Sequence, residues 1–241
     1  MDVTCMDFTG KSIIVTGAAG NVGRAAVRLL ARRGARVAAV DTLREPLDAL
    51  VATLPDPARH LALAGVDLLD PSACEALVAR VLASFGGIDG AINTVGGFAM
   101  APLAESGPDL WDRLFGVNLK SALNLYRAVV PVMTKAGRGS LVGIGAAGAL
   151  RAPGQMGAYA ASKSAVLRLT ESLADELGPA GIRVNAVLPG TIDTPQNRTA
   201  MPDADTASWV KPAEVAEAIL FLLSDAASGV NGALLPVGAR S

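Results

Sequence analysis

The stretch SIIVTGAAGNVGRAAVRLLARRGARVAAVD, residues 12–41, decides the fold. An apolar run, Ile13 to Thr16, leads into a glycine-rich turn, residues 16–23, which opens a helix with apolar positions at helical spacing over Val22 to Arg33. A second apolar run, Arg36 to Val40, follows and is closed by Asp41. A strand, a helix and a strand in this order form a right-handed crossover, so we expect two parallel strands.

The same alternation of apolar runs and amphipathic segments continues along the chain. It favours a parallel sheet with helices on both faces, so the sequence predicts an α/β, doubly wound Rossmann fold with a seven-stranded, mainly parallel sheet. The predicted strands are Ile13 to Thr16, Arg36 to Val40, Leu61 to Val66, Gly90 to Thr94, Ser140 to Ile144, Arg183 to Val187 and Ala233 to Val237. The clearest predicted helices are Val22 to Arg33, Pro71 to Ser84, Asp109 to Met133, Ala158 to Leu177 and Pro212 to Leu223.

Length and composition favour one domain that acts on a small molecule. The 241 residues suffice for a single α/β domain over 1–241, and a net charge of -1 gives no reason to expect nucleic acid or a membrane surface as partner. Since the chain has no basic leader and no apolar run of ~18 residues, we expect a cytoplasmic protein. Cys5 and Cys74 form no disulfide or metal-site pattern, no metal is expected, and the single histidine, His60, is given no role.

The glycine-rich turn is the expected place for a dinucleotide. Glycines permit a tight turn and close backbone approach, and the helix N-terminus behind them favours a pyrophosphate. Asp41 lies 24 positions after Gly17, near the ~20-residue offset at which an acid binds the adenosine ribose hydroxyls. A 2′-phosphate beside this carboxylate would be repelled by about 1 to 4 kcal/mol at 4 Å, which favours NAD(H) over NADP(H). Arg44, three residues on, is able to soften this preference.

Tyr159 and Lys163 are four residues apart on the predicted helix 158–177, so their side chains lie on one face. A lysine ammonium within ~6 Å of a tyrosine favours the phenolate and lowers the phenol pKa, which makes the phenol a proton donor and acceptor. A pair at this spacing also occurs by chance on many helices. Whether this Tyr–Lys pair is catalytic therefore depends on the motifs in the rest of the chain.

Six motifs together resemble the short-chain dehydrogenase/reductase family over nearly the whole chain. Beside the glycine turn they are YAASK at 159–163, Asp67 after the third strand, Asn93-Thr94-Val95-Gly96 after the fourth, Val117-Asn118-Leu119, and Arg183-Val184-Asn185 to Pro189-Gly190. The resemblance implies an NAD(P)-dependent oxidoreductase. It also implies a homodimer or homotetramer in which the helices around Asn118 and Tyr159 pair across a two-fold axis.

By that resemblance, Tyr159 exchanges the proton, Lys163 holds the nicotinamide ribose and tunes Tyr159, and Asn118 supports a water relay. Asp67 and Leu68 would flank the adenine. The other residues that the resemblance and the turn place along the cofactor are Gly17, Gly20, Asn21, Val22, Gly23, Asp41, Asn93, Gly96, Pro189, Gly190, Thr191, Ile192 and Thr194.

Two positions depart from the usual pattern of the family. Ala146 stands thirteen residues before Tyr159, where the family usually has a serine hydroxyl for the substrate oxygen, and Asn21 stands where the common turn has a glycine. Both departures, together with Gly96-Gly97-Phe98 and the loop 189–211, are similar to the dihydropteridine reductase branch. Asn118 and the ASK sequence after Tyr159 are closer to ordinary bacterial members.

The missing serine leads to our main hypothesis for function. Reduction of a conjugated C=N or quinonoid bond, as in a dihydropterin, spreads charge over a ring and needs an oxyanion-directed hydroxyl less than an isolated ketone does. Ala146 would make room for a flat ring, with Phe98, Met156 and Trp209 as further pocket residues, although simple packing explains these three equally well. The alternatives are an ordinary alcohol/ketone dehydrogenase without the serine, and a non-catalytic NAD(H)-binding sensor.

Overall fold

The computed structural model describes residues 6–238, so Cys5 and both ends of the expected 1–241 domain lie outside the described residues. One seven-stranded sheet has the order β3-β2-β1-β4-β5-β6-β7, and all of its strand pairs are parallel. This confirms the predicted fold class. The strands are β1 Ser12–Thr16, β2 Arg36–Asp41, β3 Leu61–Ala64, β4 Gly90–Asn93, β5 Gly139–Ile144, β6 Ile182–Pro189 and β7 Leu234–Val237.

Helices cover both faces of this sheet. Ile13 and Val15 of β1 pack in one core with the helices Asn21–Arg32 and Pro212–Leu223. Ile14 between them packs in a second core with the helices Pro71–Phe85 and Ser121–Ala136. Side chains alternate across a strand in this way, and burial of both faces explains the continuous apolar run. The helices are α1 Asn21–Arg32, α2 Arg44–Ala52, α3 Pro71–Phe85, α4 Pro108–Phe115, α5 Ser121–Ala136, α6 Gly157–Leu177, α7 Pro195–Ala200 and α8 Pro212–Leu223.

The helices differ from the prediction in several places, including α7, which lies in the predicted loop 189–211. The predicted helix over Asp109 to Met133 is divided by a π-helical segment, Gly116–Lys120, between α4 and α5. Such a segment inserts one extra residue into a turn and is frequent at functional sites. Helix α2 was not predicted, yet Leu47, Leu50 and Val51 bury one side of it in the core.

The strand order places the carboxyl ends of β1 and β4 next to each other, although the two strands are far apart in sequence. The chain order reverses at this point, and ligands of open α/β sheets bind in the crevice that such a reversal leaves. The glycine-rich turn leaves β1, Asp41 ends β2, and Thr94 to Gly96 follow β4. The fold therefore brings the predicted nucleotide residues to one edge of the sheet.

Candidate active site

The glycine-rich turn packs directly against the loop after β4. Gly17 has a φ of 66°, and a Cβ on it would lie 2.7 Å from Thr94 Oγ1. A Cβ on Gly23 would lie 2.2 Å from the carbonyl oxygen of Gly17. Only glycine fits at these two positions, because the helix must approach the strand closely. The turn thereby leaves backbone N–H groups of the α1 N-terminus free to face an anion.

A cavity of about 550 Å³ lies between this turn and the ends of β2, β3 and β4. Its walls are predominantly apolar, with two carboxylates among the lining residues. Of the predicted cofactor residues, it is lined by Gly17, Gly20, Asp41, Asp67, Leu68 and Gly96. Asn21, Val22 and Gly23 belong to the first turn of α1 and do not line it.

Backbone donors hold the Asp41 carboxylate at the edge of this cavity. Oδ2 accepts a hydrogen bond from Ala19 N at 2.9 Å, and Oδ1 accepts one from Leu43 N at 3.2 Å. Oδ1 also accepts from Thr42 Oγ1 at 3.4 Å, whereas Oδ2 retains lone-pair capacity for a further donor, such as a ribose hydroxyl. Arg44 does not line the cavity, whereas Arg24, which the sequence analysis did not single out, does. The only sequence feature that indicates Arg24 as a cavity residue is its position directly after the last glycine of the turn.

Asn93 lies beneath this cavity and not in its wall. It is 3% exposed, its Oδ1 accepts a 2.7 Å hydrogen bond from Thr16 Oγ1, and its Nδ2 donates to Ser121 Oγ at 3.2 Å. These bonds join the ends of β1 and β4 to the first residue of α5. The structure therefore gives Asn93 a supporting position, where the sequence analysis expected a contact with the cofactor.

A second cavity, of about 200 Å³, adjoins the first at Gly96 and holds the predicted catalytic pair. Lys163 is its one charged lining residue among those described, and Tyr159 provides the one side-chain hydroxyl there. Its described lining residues are Gly96, Gly97, Phe98, Ile144, Gly145, Ala146, Tyr159, Lys163, Pro189, Gly190 and Ile192.

Burial sets the protonation of Tyr159 and Lys163. Lys163 Nζ donates a 2.8 Å hydrogen bond to the carbonyl oxygen of Ile144, and burial lowers the lysine pKa to about 8. Burial also raises the pKa of Tyr159. The sequence analysis expected Lys163 to lower the phenol pKa, and the structure shows the opposite direction, because desolvation of the phenolate dominates. Tyr159 is consequently a neutral phenol at neutral pH.

Asn118 lies in the π-helical segment and fastens the loop after β4 to α6. Its Oδ1 accepts from Gly97 N at 2.8 Å, and its Nδ2 donates to Gly97 O at 3.1 Å and to Ser162 Oγ at 2.9 Å. Because the side chain is 1% exposed and fully engaged, it holds the wall of the second cavity in place. The water relay that the resemblance implies stays a prediction.

Ala146 lies in extended backbone, is 7% exposed and lines the second cavity. Phe98 lines it too, and its ring meets the Tyr159 ring edge-on with centroids 4.9 Å apart. Met156 and Trp209, the other two expected pocket residues, do not line this cavity. Met156 is the N-cap of α6, and Trp209 follows a short helical turn beyond α7.

The loop after β6 brings only part of its predicted residues to the cavity. Pro189, Gly190 and Ile192 line it, whereas Thr191 does not. Thr194 is 8% exposed and caps α7, because its Oγ1 accepts a 3.1 Å hydrogen bond from Asn197 N.

In the described part of the chain, no group of three or more His, Cys, Asp or Glu side chains is arranged to hold a metal ion. Across residues 6–238, no helix has the length and apolar character needed to cross a bilayer.

The chain is similar to known reductases and dehydrogenases over nearly its whole length. Residues 17–239 match the family model described as Enoyl-(Acyl carrier protein) reductase. A 3-oxoacyl-[acyl-carrier-protein] reductase of Thermotoga maritima is 36% identical, with 96% of this chain and 98% of the relative covered. D-threitol dehydrogenase of Mycolicibacterium smegmatis is also 36% identical, with 95% and 91% covered.

Solved structures show the same architecture. Carveol dehydrogenase from Mycobacterium avium in complex with NAD superimposes with a TM-score of 0.87 at 29% identity, covering 95% of this chain and 96% of that chain. Levodione reductase gives a TM-score of 0.87 at 32% identity, covering 96% and 97%. The chain belongs to the short-chain dehydrogenase/reductase family. It is an NAD(P)-dependent oxidoreductase whose named relatives are dehydrogenases and reductases.

Proposed function

We propose that this chain is an NADH-dependent reductase of an electron-poor C=N or quinonoid bond, such as that of a dihydropterin, with Tyr159 as the proton donor. One observation carries the proposal: no side-chain hydroxyl other than that of Tyr159 lines the second cavity among the described residues. A ring that spreads charge and takes a proton on nitrogen needs no second donor. The edge of Phe98 and the small side chain of Ala146 suit a flat substrate.

The residues around the larger cavity fit a dinucleotide, because the glycine turn leaves no room for side chains and Asp41 is held by backbone donors. In the proposal, Asp41 accepts from the ribose hydroxyls, which favours NAD(H) over NADP(H), and Asp67 and Leu68 flank the adenine. Lys163 binds the nicotinamide ribose. Pro189, Gly190 and Ile192, which line the second cavity, enclose the nicotinamide end. When bound, NADH supplies the hydride.

The protonation of Tyr159 supports the direction of reduction. Burial raises its pKa, so the side chain carries its proton at neutral pH, and donation depends on stabilisation of the phenolate that forms. The buried Lys163 ammonium lies one helical turn further along α6 and stabilises the phenolate that donation leaves behind. The Phe98 ring is 57% exposed and meets the Tyr159 ring edge-on.

A second candidate is an alcohol/ketone dehydrogenase that works without the serine hydroxyl. The relatives favour it, since they include D-threitol dehydrogenase and carveol dehydrogenase. For such a substrate, Tyr159 alone would face the carbonyl oxygen, and the lost donor would cost about 100- to 1,000-fold in rate.

A substrate panel separates these candidates. Ketones, alcohols, imines and quinonoid dihydropterin are tested with NADH or NAD⁺, and the absorbance of NADH is followed. The proposal expects turnover to be fastest with the C=N and quinonoid compounds. Faster turnover of ketones or alcohols than of any C=N or quinonoid compound supports the second candidate. Tight NADH binding with no turnover of any compound would instead support the non-catalytic sensor.

A further inference from the structure

His60 is the only histidine of the chain, and the proposed function gives it no task. It is the last residue of the connection between α2 and β3, and it is 8% exposed. Its Nδ1 lies 3.1 Å from Val37 N, and its Nε2 lies 3.0 Å from the carbonyl oxygen of Pro55. The buried imidazole therefore ties the connection both to itself and to β2.

The two backbone partners fix the protonation of the ring. The N–H of Val37 can only donate, so Nδ1 must be an unprotonated acceptor. The carbonyl oxygen of Pro55 can only accept, so Nε2 must carry the hydrogen and donate it. The bonded state is thus the neutral ring. A second proton, on Nδ1, would set two donors against each other and leave the buried Val37 N–H without its acceptor.

This bond lies at the edge of the sheet. Among the described strands, β3 has β2 as its only neighbour, and residues 38–41 pair with Leu61–Ala64. Val37 directly precedes this ladder, so His60 adds a side-chain acceptor at its start. The connection also holds Asp56 at a φ of 55°, a left-handed conformation that persists only where surrounding contacts fix it. The ring is one of the contacts that hold this connection against the sheet.

The surroundings of the ring oppose a second proton. Burial lowers the pKa of His60, because the charged ring would lose its hydration. The Pro55 carbonyl opposes this effect, and of the nearby charges Arg59 lowers the pKa whereas Asp56 raises it. The first residue of β2 is a further cation, Arg36, whose guanidinium lies over a phenyl ring. The ring is therefore neutral at neutral pH and gains its second proton only below the usual histidine value of about 6.5.

We propose that His60 is an acid-sensitive latch of the β2–β3 edge: the neutral ring holds the edge closed, and protonation of Nδ1 releases it. The unfolded chain takes up this proton at a higher pH than the folded chain does. The free energy of unfolding should therefore fall as the pH falls below about 6.5, whereas the contribution of the bond is complete above that pH. The latch does not depend on which substrate the enzyme reduces.

The test is hydrogen exchange of single backbone amides, followed by NMR and corrected for the intrinsic pH dependence of exchange. Between about pH 7.5 and about pH 5, the protection of Val37 N–H should fall at least about fivefold, the usual contribution of one hydrogen bond. Val184 N–H is the matched control, because it also donates to a side chain, Asn231 Oδ1 at 2.9 Å, which does not titrate. Its protection should change less than about twofold.

His60→Asn is the deciding variant, because its amide oxygen stands near the position of Nδ1 and accepts from Val37 without titrating. It should abolish the extra loss of protection at acid pH. His60→Phe keeps a ring but lacks both bonds, so it should lower the protection of Val37 about equally at both pH values.

The ring itself is followed through the Cε1 proton of the single histidine, in protein purified without a histidine tag. Its titration in the folded protein should lie below about pH 6.5. Titration at or above that value would overturn the inference. Unchanged protection of Val37 after the ring has titrated would overturn it as well, as would an acid-induced loss in His60→Asn as large as in the unchanged protein.

Discussion

Ala146 lines the second cavity at the position where the family usually has a serine. Ala146→Ser would place a hydroxyl beside Tyr159 and restore a donor for a developing oxyanion, a contribution of about 2.7 to 4 kcal/mol. We expect the rate with simple ketones to rise, and the rate with C=N or quinonoid compounds to stay level or fall, because the hydroxyl intrudes on a flat ring. Steady-state rates on the substrate panel measure both effects.

The control for this variant is Ala147→Ser, because Ala147 is the exposed next residue and does not line the cavity. It should leave every rate unchanged. A parallel rise of all activities in Ala146→Ser would contradict the assignment of the pocket to conjugated substrates.

Lys163 titrates in the working range of pH because burial lowers its pKa to about 8. The ammonium predominates below that pH, and the amine predominates above it. Since the proposed role needs the charged form, we expect the reduction rate to fall as pH rises through about 8. Lys163→Ala should weaken NADH binding and turnover together, and its residual activity should lack this fall. An unchanged pH profile in Lys163→Ala would assign the titration to another group.

At the residue scale, the sequence predicted what local spacing determines. Tyr159 and Lys163 do share the second cavity, as their helical spacing indicated. The positions of Asn93 and Asn118 were not predictable, because their partners Thr16 and Gly97 are distant in sequence. The sequence alone does not distinguish an asparagine that contacts a cofactor from one that holds a loop in place.

At the scale of elements, the π-helical segment Gly116–Lys120 shows why the helix boundary between α4 and α5 was not predicted. The apolar pattern runs through it, so a single helix was predicted. The break coincides with bonds that the pattern does not contain: Asn118 holds Gly97, and Ser121 Oγ donates to Val117 O at 2.7 Å. The break in helical periodicity therefore coincides with the long-range bonds between Asn118 and Gly97 and with the local bond of Ser121.

Helices α1 and α7 are joined by a hydrogen bond that gives Asn21 a role. Asn21 Nδ2 donates to Gln196 Oε1 at 3.0 Å, and this exposed bond links the glycine turn to the segment after β6. A bond of this kind contributes about 1 kcal/mol net, which corresponds to roughly a fivefold change in a rate constant. We predict that Asn21→Gly speeds NADH release by about two- to fivefold, measured by stopped-flow displacement.

Gln196→Ala should have the same effect, and the double variant should be no faster than either single variant, because the two residues share one bond. Thr199→Ala on the exposed side of α7 serves as the control. Additive effects of the two single variants would show that the bond does not retain the cofactor.

For the whole molecule, the strand count, the parallel sheet and the covering of both faces were predictable, because alternating apolar runs and crossovers permit few other arrangements. The sheet order and the meeting of β1 with β4 depend on pairings between distant segments. The short α2 was missed because one apolar side with three buried residues is a weak periodic signal.

The proposed assembly is a homodimer or homotetramer. Ala161 and Ala165 on the outer side of α6 are partly buried and small, which permits close approach of a second helix. We predict a mass of two or four chains in light scattering, and loss of assembly in Ala165→Arg. Ser172→Arg, at an exposed position further along α6, is the control. A mass of one chain at micromolar concentration would contradict this prediction.

The most direct test of the central claim, that Tyr159 donates the proton beside a bound NADH, is Tyr159→Phe. Tyr126→Phe is the control: Tyr126 is the only other tyrosine, lies in the core, and its hydroxyl has no hydrogen-bond partner among the described residues. NADH affinity and turnover of the fastest substrate in the panel are measured on both variants. We predict that Tyr159→Phe binds NADH within about twofold of the unchanged protein and loses at least about 100-fold in turnover, whereas Tyr126→Phe retains both. Retention of most turnover by Tyr159→Phe would contradict the account.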